Sequence, residues 1–458
     1  MNPFPPDFLW GAATSSYQIE GSPLADGAGP SDWHLFSHTP GRTAHGHTGD
    51  AACDHYRRWA QDIALMGELG LRAYRFSLAW ARILPDGTGS VNQAGLDFYD
   101  RLIEGLLKAG ITPVPTLFHW DLPAALAQRG GWTHRDSADW FAEYAQVVFR
   151  RLGDRVSRWT TLNEPWVVVD GGYVSGMHPP GQRDLGAAAR ATHNLLRAHG
   201  QAVRCFRAEG QGEIGLVVNL EPKDAASSTA EDLAAAHRAE AYMNRQFLDP
   251  VILGAYPAEM AEMYGDQWPE FPEKDFALIG EPTDFLGVNY YSRSVNRNAP
   301  EVVPTGAAPV KQEGSEYTAF DWEVHPASLV KVLNWVRNRY GDRPIYITEN
   351  GAAFDDPLPD QNGRVADVRR LAYLKEHLRA VGQARENGVD VRGYFAWSLL
   401  DNFEWAFGYD KRFGLVQVDF ATQKRTIKDS GYFYRDVVAS GGQILFDQGR
   451  AQRTVTGM

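Results

Sequence analysis

Cysteine is scarce in this chain. Cys53 and Cys205 are the only two among 458 residues, too few for a disulfide framework, and this usage points to a reducing, cytoplasmic compartment. Positive charge is also in short supply, with 45 Lys and Arg against 57 Asp and Glu and a net charge of −12. That balance argues against nucleic acid and anionic membrane surfaces as partners, because both are held mainly by cationic side chains. No Lys or Arg precedes Arg42, so the start of the chain lacks the charged region of a secretory signal. No apolar run approaches the roughly 20 residues that a membrane helix needs. Missing too are G-x-G-x-x-G after a strand, a G-x-x-x-x-G-K-[ST] phosphate loop, H-E-x-x-H and any internal repeat. The familiar nucleotide and zinc-protease chemistries are thereby set aside.

What remains is ordinary globular composition, 44% hydrophobic and 22% charged, enough for a large core. Short apolar or β-branched runs alternate with longer helical patterns, the signature of βα units around a parallel sheet. Strands are expected near 8–14, 72–78, 113–118, 157–162, 214–219, 285–290, 345–348 and 391–397. Helical patterns lie at 54–69, 94–109, 137–152, 187–208, 231–248, 327–340 and 366–387. Eight strands is the number that closes a (β/α)8 barrel; an open doubly wound sheet is the alternative. No linker divides the chain, so residues 1–458 are expected to form a single (β/α)8 TIM-barrel domain with long βα loops. The stretch 296–323, polar and aperiodic, reads as one of those loops.

The informative residues sit where the strands stop. "WTTLNEPW" ends its strand at Asn163-Glu164, and "PIYITENGAAF" places Glu349-Asn350 at the end of another. Gln18, Arg75, His119-Trp120, Asn219, Asn289-Tyr290-Tyr291 and Trp397 occupy the other strand ends. Each has a plain explanation alone: a solvated acid, a structural counter-ion, a satisfied core imidazole. In a parallel barrel, however, all C-terminal strand ends open on one face. Two carboxylates in such a bowl suit glycosidic bond cleavage, which needs a protonated acid for the leaving oxygen and a carboxylate opposite the developing positive charge. Arg75 and Tyr291 are placed to hold Glu349 anionic, and that charge would keep Glu164 protonated. The 14 Trp and 19 Tyr supply platforms for the apolar face of a sugar ring.

Two other classes compete. "HGHTGDAACDH" gathers His45, His47, Cys53, Asp54 and His55, but the spacing matches no tetrahedral zinc pattern; the structural reading is a loop followed by an acid that caps the next helix. A sugar-binding protein without catalysis would need the hydroxyl-binding residues and not both Glu164 and Glu349.

The motifs "FPPDFLWGAATSSYQIEG", "YRFSLAWARILP", "TLFHWDLPAAL", "WTTLNEPW", "GVNYY", "YITENGAAF" and "WSLLDNFEWAFGYDKRFGL" resemble glycoside hydrolase family 1, most closely its bacterial β-glucosidases, over nearly the whole chain. The resemblance implies an eight-stranded barrel, hydrolysis with net retention and no cofactor or metal. It implies Glu164 as acid/base and Glu349 as nucleophile, with Arg75, Asn289 and Tyr291 orienting the nucleophile. Gln18, His119, Trp120, Asn163, Trp397, Glu404, Trp405 and Phe413 match sugar-binding positions; Trp166, His178, Asn219 and Trp322 match the leaving-group side. Small-molecule β-glycosides are the implied partners. Glu404 would repel a 6-phosphate, while glucosides, galactosides and fucosides stay open as substrates. The Trp397-Ser398 peptide is expected to be cis on the same likeness.

Overall fold

The computed structural model describes residues 3–447. Eight parallel strands close into a barrel: β1 Leu9–Ala13, β2 Ala73–Ser77, β3 Thr112–Phe118, β4 Arg158–Asn163, β5 Glu213–Asn219, β6 Phe285–Asn289, β7 Ile345–Asn350 and β8 Val391–Trp397. Every strand pairs with its neighbours in sequence, and β1 pairs with β8 to complete the ring, Ala13 opposite Trp397. Helices cover the outside, so both faces of the sheet are shielded from water. This is why β2 and β7 are buried at every position, with no alternation of buried and exposed residues. Inside the ring, Ala13, Ala73, Val114, Phe285, Tyr346 and Phe395 pack together below Trp397 and Phe413, a filled core that leaves space only at the mouth.

The main covering helices are α1 His55–Glu68, α2 Gln93–Lys108, α3 Ser137–Leu152, α4 Leu185–Glu209, α5 Ala230–Glu240, α6 Pro326–Tyr340, α7 Val368–Glu386 and α8 Asp429–Ala439. Their sequences carry the stripe such a position needs: Phe141, Ala145, Val148 and Leu152 of α3 recur at three- and four-residue spacing, and all are buried.

The expected strands stand within two residues of those observed. One expectation is corrected, and the structure adds to the reading at two further places. The 231–248 pattern is interrupted: α5 ends at Glu240 and a π-helical turn, Ala241–Arg245, precedes Gln246–Ile252. The stretch 296–323 is not a bare loop, because Ser294–Asn298 pairs with both Lys223–Ala225 and Ala307–Pro309 in a small sheet over the barrel mouth. Helix α8 follows an antiparallel hairpin, Val416–Asp419 with Lys424–Ile427, and the periodicity reading had not included it. No helix among the described residues is long and apolar enough to cross a membrane.

The His- and Cys-rich stretch disperses. His45 pairs with Asp410, His47 Nδ1 accepts from Tyr409 N, Cys53 Sγ donates to the Asp401 carbonyl and His55 Nδ1 meets Asp62 at 2.8 Å. Asp54 does stand at the head of α1, but its side chain caps no backbone N–H. Its carboxylate accepts instead from Arg57 and Arg58, each at 3.0 Å.

Candidate active site

The C-terminal strand ends surround a cavity of about 470 Å³ bordered by both Glu164 and Glu349. Backbone geometry aims these side chains. The pairing of β4 with β5 shifts register between Thr160 and Asn163, and that of β7 with β6 between Ile347 and Glu349. Such irregularities re-aim a side chain at the end of a ladder. Strand β7 does not stop at Glu349 but continues to Asn350, whose amide turns outward to Tyr290 O, Tyr373 Oη and Tyr394 Oη. One residue of the pair thus serves the cavity and its neighbour the outer packing. Glu164 lies just beyond β4 with φ 47° and ψ 63°, a left-handed conformation that costs a non-glycine residue about 1–2 kcal/mol. Trp120 (φ 81°) and Trp405 (φ 51°), both on the cavity wall, share it. The Trp397-Ser398 peptide is cis.

A single hydrogen-bond network joins the two carboxylates. Arg75 donates from Nη1 to Glu349 Oε1 at 2.6 Å and from Nη2 to Asn163 Oδ1 at 2.7 Å. The Tyr291 hydroxyl donates to Glu349 Oε2 at 2.6 Å. Asn289 Oδ1 accepts from the Thr348 hydroxyl at 2.7 Å, which turns its Nδ2 toward Glu164 Oε1, also at 2.7 Å. The resemblance grouped Asn289 with Arg75 and Tyr291 on Glu349. Its hydrogen bond goes to Glu164, although the amide also lowers the proton affinity of Glu349. Asn289 therefore lies between the two acids.

Burial controls their ionisation first. Glu164 is 5% and Glu349 3% exposed, and desolvation favours the neutral carboxyl. Burial, reinforced by the charge of Glu349, pushes Glu164 well above the usual carboxylate range, with Asn289 opposing. Burial pushes Glu349 upward as well, against Arg75, Tyr291 and Asn289, which all favour its anion. The donors are distributed unequally, two charged or hydroxyl donors on Glu349 and one amide on Glu164, so Glu349 is the more readily ionised of the two. Tyr291 itself is held well above its normal range by burial and the nearby Glu349 charge, and remains a donor. Burial, then Arg75, pushes His119 far down. Asn163 Oδ1 is occupied by Arg75 and Asn289, so its Nδ2 donates to His119 Nε2 at 3.1 Å. The ring proton must then sit on His119 Nδ1, which is buried without a partner.

The remaining expected positions fall into two groups. His119, Trp120, Trp166, His178, Asn219, Asn289, Tyr291, Trp322, Trp397, Glu404, Trp405 and Phe413 line the cavity with the two acids. Gln18, Arg75 and Asn163 stand behind its wall. Gln18 is fully buried; its Nε2 donates to Asn402 Oδ1, Phe403 O and Glu404 Oε2 at 2.9–3.2 Å, and its Oε1 accepts from Ser15. Burial, aided by the Glu349 charge, raises Glu404 to about 8 despite the Gln18 amide. His119 stacks 5.8 Å from Trp397, and Trp120 lies 4.7 Å from Trp405. Burial lowers His178 to about 4, leaving a neutral ring.

Sequence reasoning missed Thr348 and Asn402, which fix Asn289 and Gln18, and the outer wall of Met177, Met243, Phe320 and the Glu221–Lys223 ion pair. Thr348 and Asn402 lie inside motifs already quoted, beside Glu349 and one residue before Phe403. The outer wall comes from segments that connect the barrel strands to the helices and whose contacts only the fold creates.

The profile of glycosyl hydrolase family 1 matches residues 1–443. The chain belongs to that family. Within it, the chain is 52% identical over 441 residues to β-glucosidase A of Thermotoga maritima, covering 96% of this chain and 98% of that one. It is 42% identical over 456 residues to the bifunctional β-D-glucosidase/β-D-fucosidase of Bifidobacterium breve, covering 95% and 98%. The structure of the Thermotoga maritima β-glucosidase in complex with glucoimidazole superposes with a TM-score of 0.93 at 52% identity, covering 96% of this chain and 99% of the other.

Proposed function

We propose that this family 1 hydrolase is a retaining β-glucosidase that releases terminal non-reducing glucose from cellobiose, short cello-oligosaccharides and aryl β-glucosides, with side activity on β-galactosides and β-fucosides. The observation that carries the reading is the pair Glu164 and Glu349 on one cavity, linked through Asn163 and Asn289, with the stronger donors on Glu349. Glu349, oriented by Arg75 and Tyr291, attacks the anomeric carbon. Glu164 gives its proton to the leaving oxygen. A covalent glycosyl-enzyme results, and Glu164, now ionised, takes a proton from the water that hydrolyses it.

The sugar lies over Trp397, with Trp405 and Phe413 closing its apolar faces. Glu404, braced by Gln18, accepts from the 4- and 6-hydroxyls; His119 Nδ1–H donates to a secondary hydroxyl. Asn163 acts on substrate mainly by holding Arg75 and His119 in place. Trp166, His178, Asn219 and Trp322 receive the leaving group. The name of the bifunctional relative supports fucoside acceptance. The two unpaired cysteines support the cytoplasm as its location. The cavity and the wall behind it are built by residues from Gln18 to Phe413 of a single barrel, which supports one catalytic domain. Initial rates on p-nitrophenyl β-glucoside, β-galactoside and β-fucoside test the proposal. Turnover of the glucoside is the expected result, and inactivity on all three would leave a sugar-binding protein instead.

A further inference from the structure

Asp50 lies within the stretch 45–55 whose histidines and cysteine scatter to separate partners, but its own carboxylate meets two imidazoles from a different segment. The short helix Asp32–Ser37 begins at Ser31, whose hydroxyl accepts from His34 N. His38 closes that helix, so His34 and His38 stand one turn apart on the same face, ring centroids 4.3 Å apart. His38 Nε2 is 3.0 Å from Asp50 Oδ2 and His34 Nδ1 is 3.5 Å from Asp50 Oδ1. Among the described residues this is the one set of three such side chains whose ligand atoms converge, all within 4.8 Å of one another. A tetrahedral zinc ion with bonds of about 2.0–2.1 Å separates its ligands by about 3.4 Å, a difference that side-chain rotation can close.

Two further details suit a ligand set. His38 Nδ1 donates to the His34 carbonyl oxygen at 2.7 Å, which fixes the ring and turns Nε2 toward Asp50. Metal-bound imidazoles are commonly anchored in this way through their other nitrogen. His34 Nδ1 is buried and has no hydrogen-bond partner. Two ring nitrogens and a carboxylate oxygen directed at one point need a cation among them, either a proton or a metal ion.

We infer that His34, His38 and Asp50 bind a divalent ion of the zinc class, with water completing the tetrahedron. Two imidazoles and one carboxylate match the ligands such ions prefer, whereas Ca²⁺ and Mg²⁺ require mostly oxygen. The site is separate from the cavity, and none of its three residues lines it. The ion clips the helix Asp32–Ser37 to the turn around Asp50. Trp33 on that helix packs 4.6 Å from Trp405, so the clip braces the aromatic wall behind the sugar site.

The test uses untagged, chelator-washed protein titrated with ZnCl₂ by calorimetry, with Tm recorded in Zn²⁺, Ca²⁺ and Mg²⁺. His38 and Asp50 side chains are 41% and 49% exposed, so His38→Ala and Asp50→Asn keep the fold, checked by their metal-free Tm. One equivalent of Zn²⁺ bound, a Tm raised by Zn²⁺ alone, and binding weakened by about tenfold or more in each variant are the expected results. Absence of saturable binding, or binding equally tight in both variants, would overturn the inference and leave a His38–Asp50 ion pair. Because binding and Tm are read without turnover, this outcome is independent of the glucosidase assay.

Discussion

Replacing Tyr291 with phenylalanine isolates one oxygen of the site. The ring lies 5.2 Å from Trp322 and 6.0 Å from Phe413, contacts that Phe retains, while the hydroxyl's bond to Glu349 Oε2 at 2.6 Å is lost. A hydrogen bond to an ionised group contributes about 1.5–3 kcal/mol. At about 1.4 kcal/mol per pH unit, its loss raises the pKa of Glu349 by about 1–2 units. Water entering the vacated position would bring the shift to the lower end. The sign follows from the role of the donor: Tyr291 stabilises the anion and opposes burial, so removing it favours the protonated, inactive nucleophile. The acidic limb of kcat/KM, which reports the free enzyme, therefore moves toward higher pH by about 1–2 units. The basic limb, set by Glu164, moves far less. The plateau also falls, by about tenfold, as the carboxylate loses one of its two orienting donors. Initial rates on p-nitrophenyl β-glucoside from acid to alkaline pH, with circular dichroism to confirm folding, measure all three quantities. A folded variant whose acidic limb stays in place, or moves to lower pH, would refute the assignment of Glu349 as the group that must be ionised.

Glu349→Ala is expected to abolish turnover and to regain it with azide as an α-glycosyl azide, whereas Glu164→Ala should slow deglycosylation most and spare substrates with good leaving groups; product analysis by NMR separates the two, and the reverse pattern would exchange their roles. Glu404→Gln should raise KM for the glucoside more than for the fucoside, which has no 6-hydroxyl, and so narrow a preference worth about 1–3 kcal/mol; an equal effect on both would remove Glu404 from the 6-hydroxyl. Lys428 is fully buried between Asp356 Oδ2 at 2.5 Å and Asp401 Oδ1 at 2.7 Å. Lys428→Met leaves both carboxylates short of their cation and should destabilise the fold by about 3–5 kcal/mol, read from urea denaturation; a loss below about 1 kcal/mol would show the pair to be compensated by Arg370 and Arg412.

Much of the barrel was legible because a strand buried on both faces is a short run rich in apolar or β-branched residues, and eight of these occur in order. What escaped is equally physical. Lys223–Ala225, Ser294–Asn298 and Ala307–Pro309 are only three to five residues long, and the first of them joins the other two from about seventy residues upstream. No local period announces such a partner. Helix α8 reads "DSGYFYRDVVA", with Gly431 in its first turn and aromatic residues of weak helix propensity. Burial of Tyr434, Val437 and Val438 against the barrel stabilises it, and that contribution is invisible in the sequence alone.

The candidate site shows the same division at the level of single atoms. Residue type and strand-end position sufficed to bring Glu164, Glu349, Arg75 and Tyr291 together, because the topology of a parallel barrel places all such ends on one face. Position does not say where an amide spends its hydrogen bonds. Asn163 and Asn289 were both expected to serve one partner, the sugar in one case and Glu349 in the other. The network uses every polar side-chain atom of Asn163 on protein groups, Oδ1 for Arg75 and Asn289 and Nδ2 for His119, and Asn289 is committed by Thr348 to face Glu164. Each of these choices is forced by satisfying a buried donor or acceptor, a condition that exists only once the strands have closed. The two asparagines thereby tie the groups around both acids into one hydrogen-bond network.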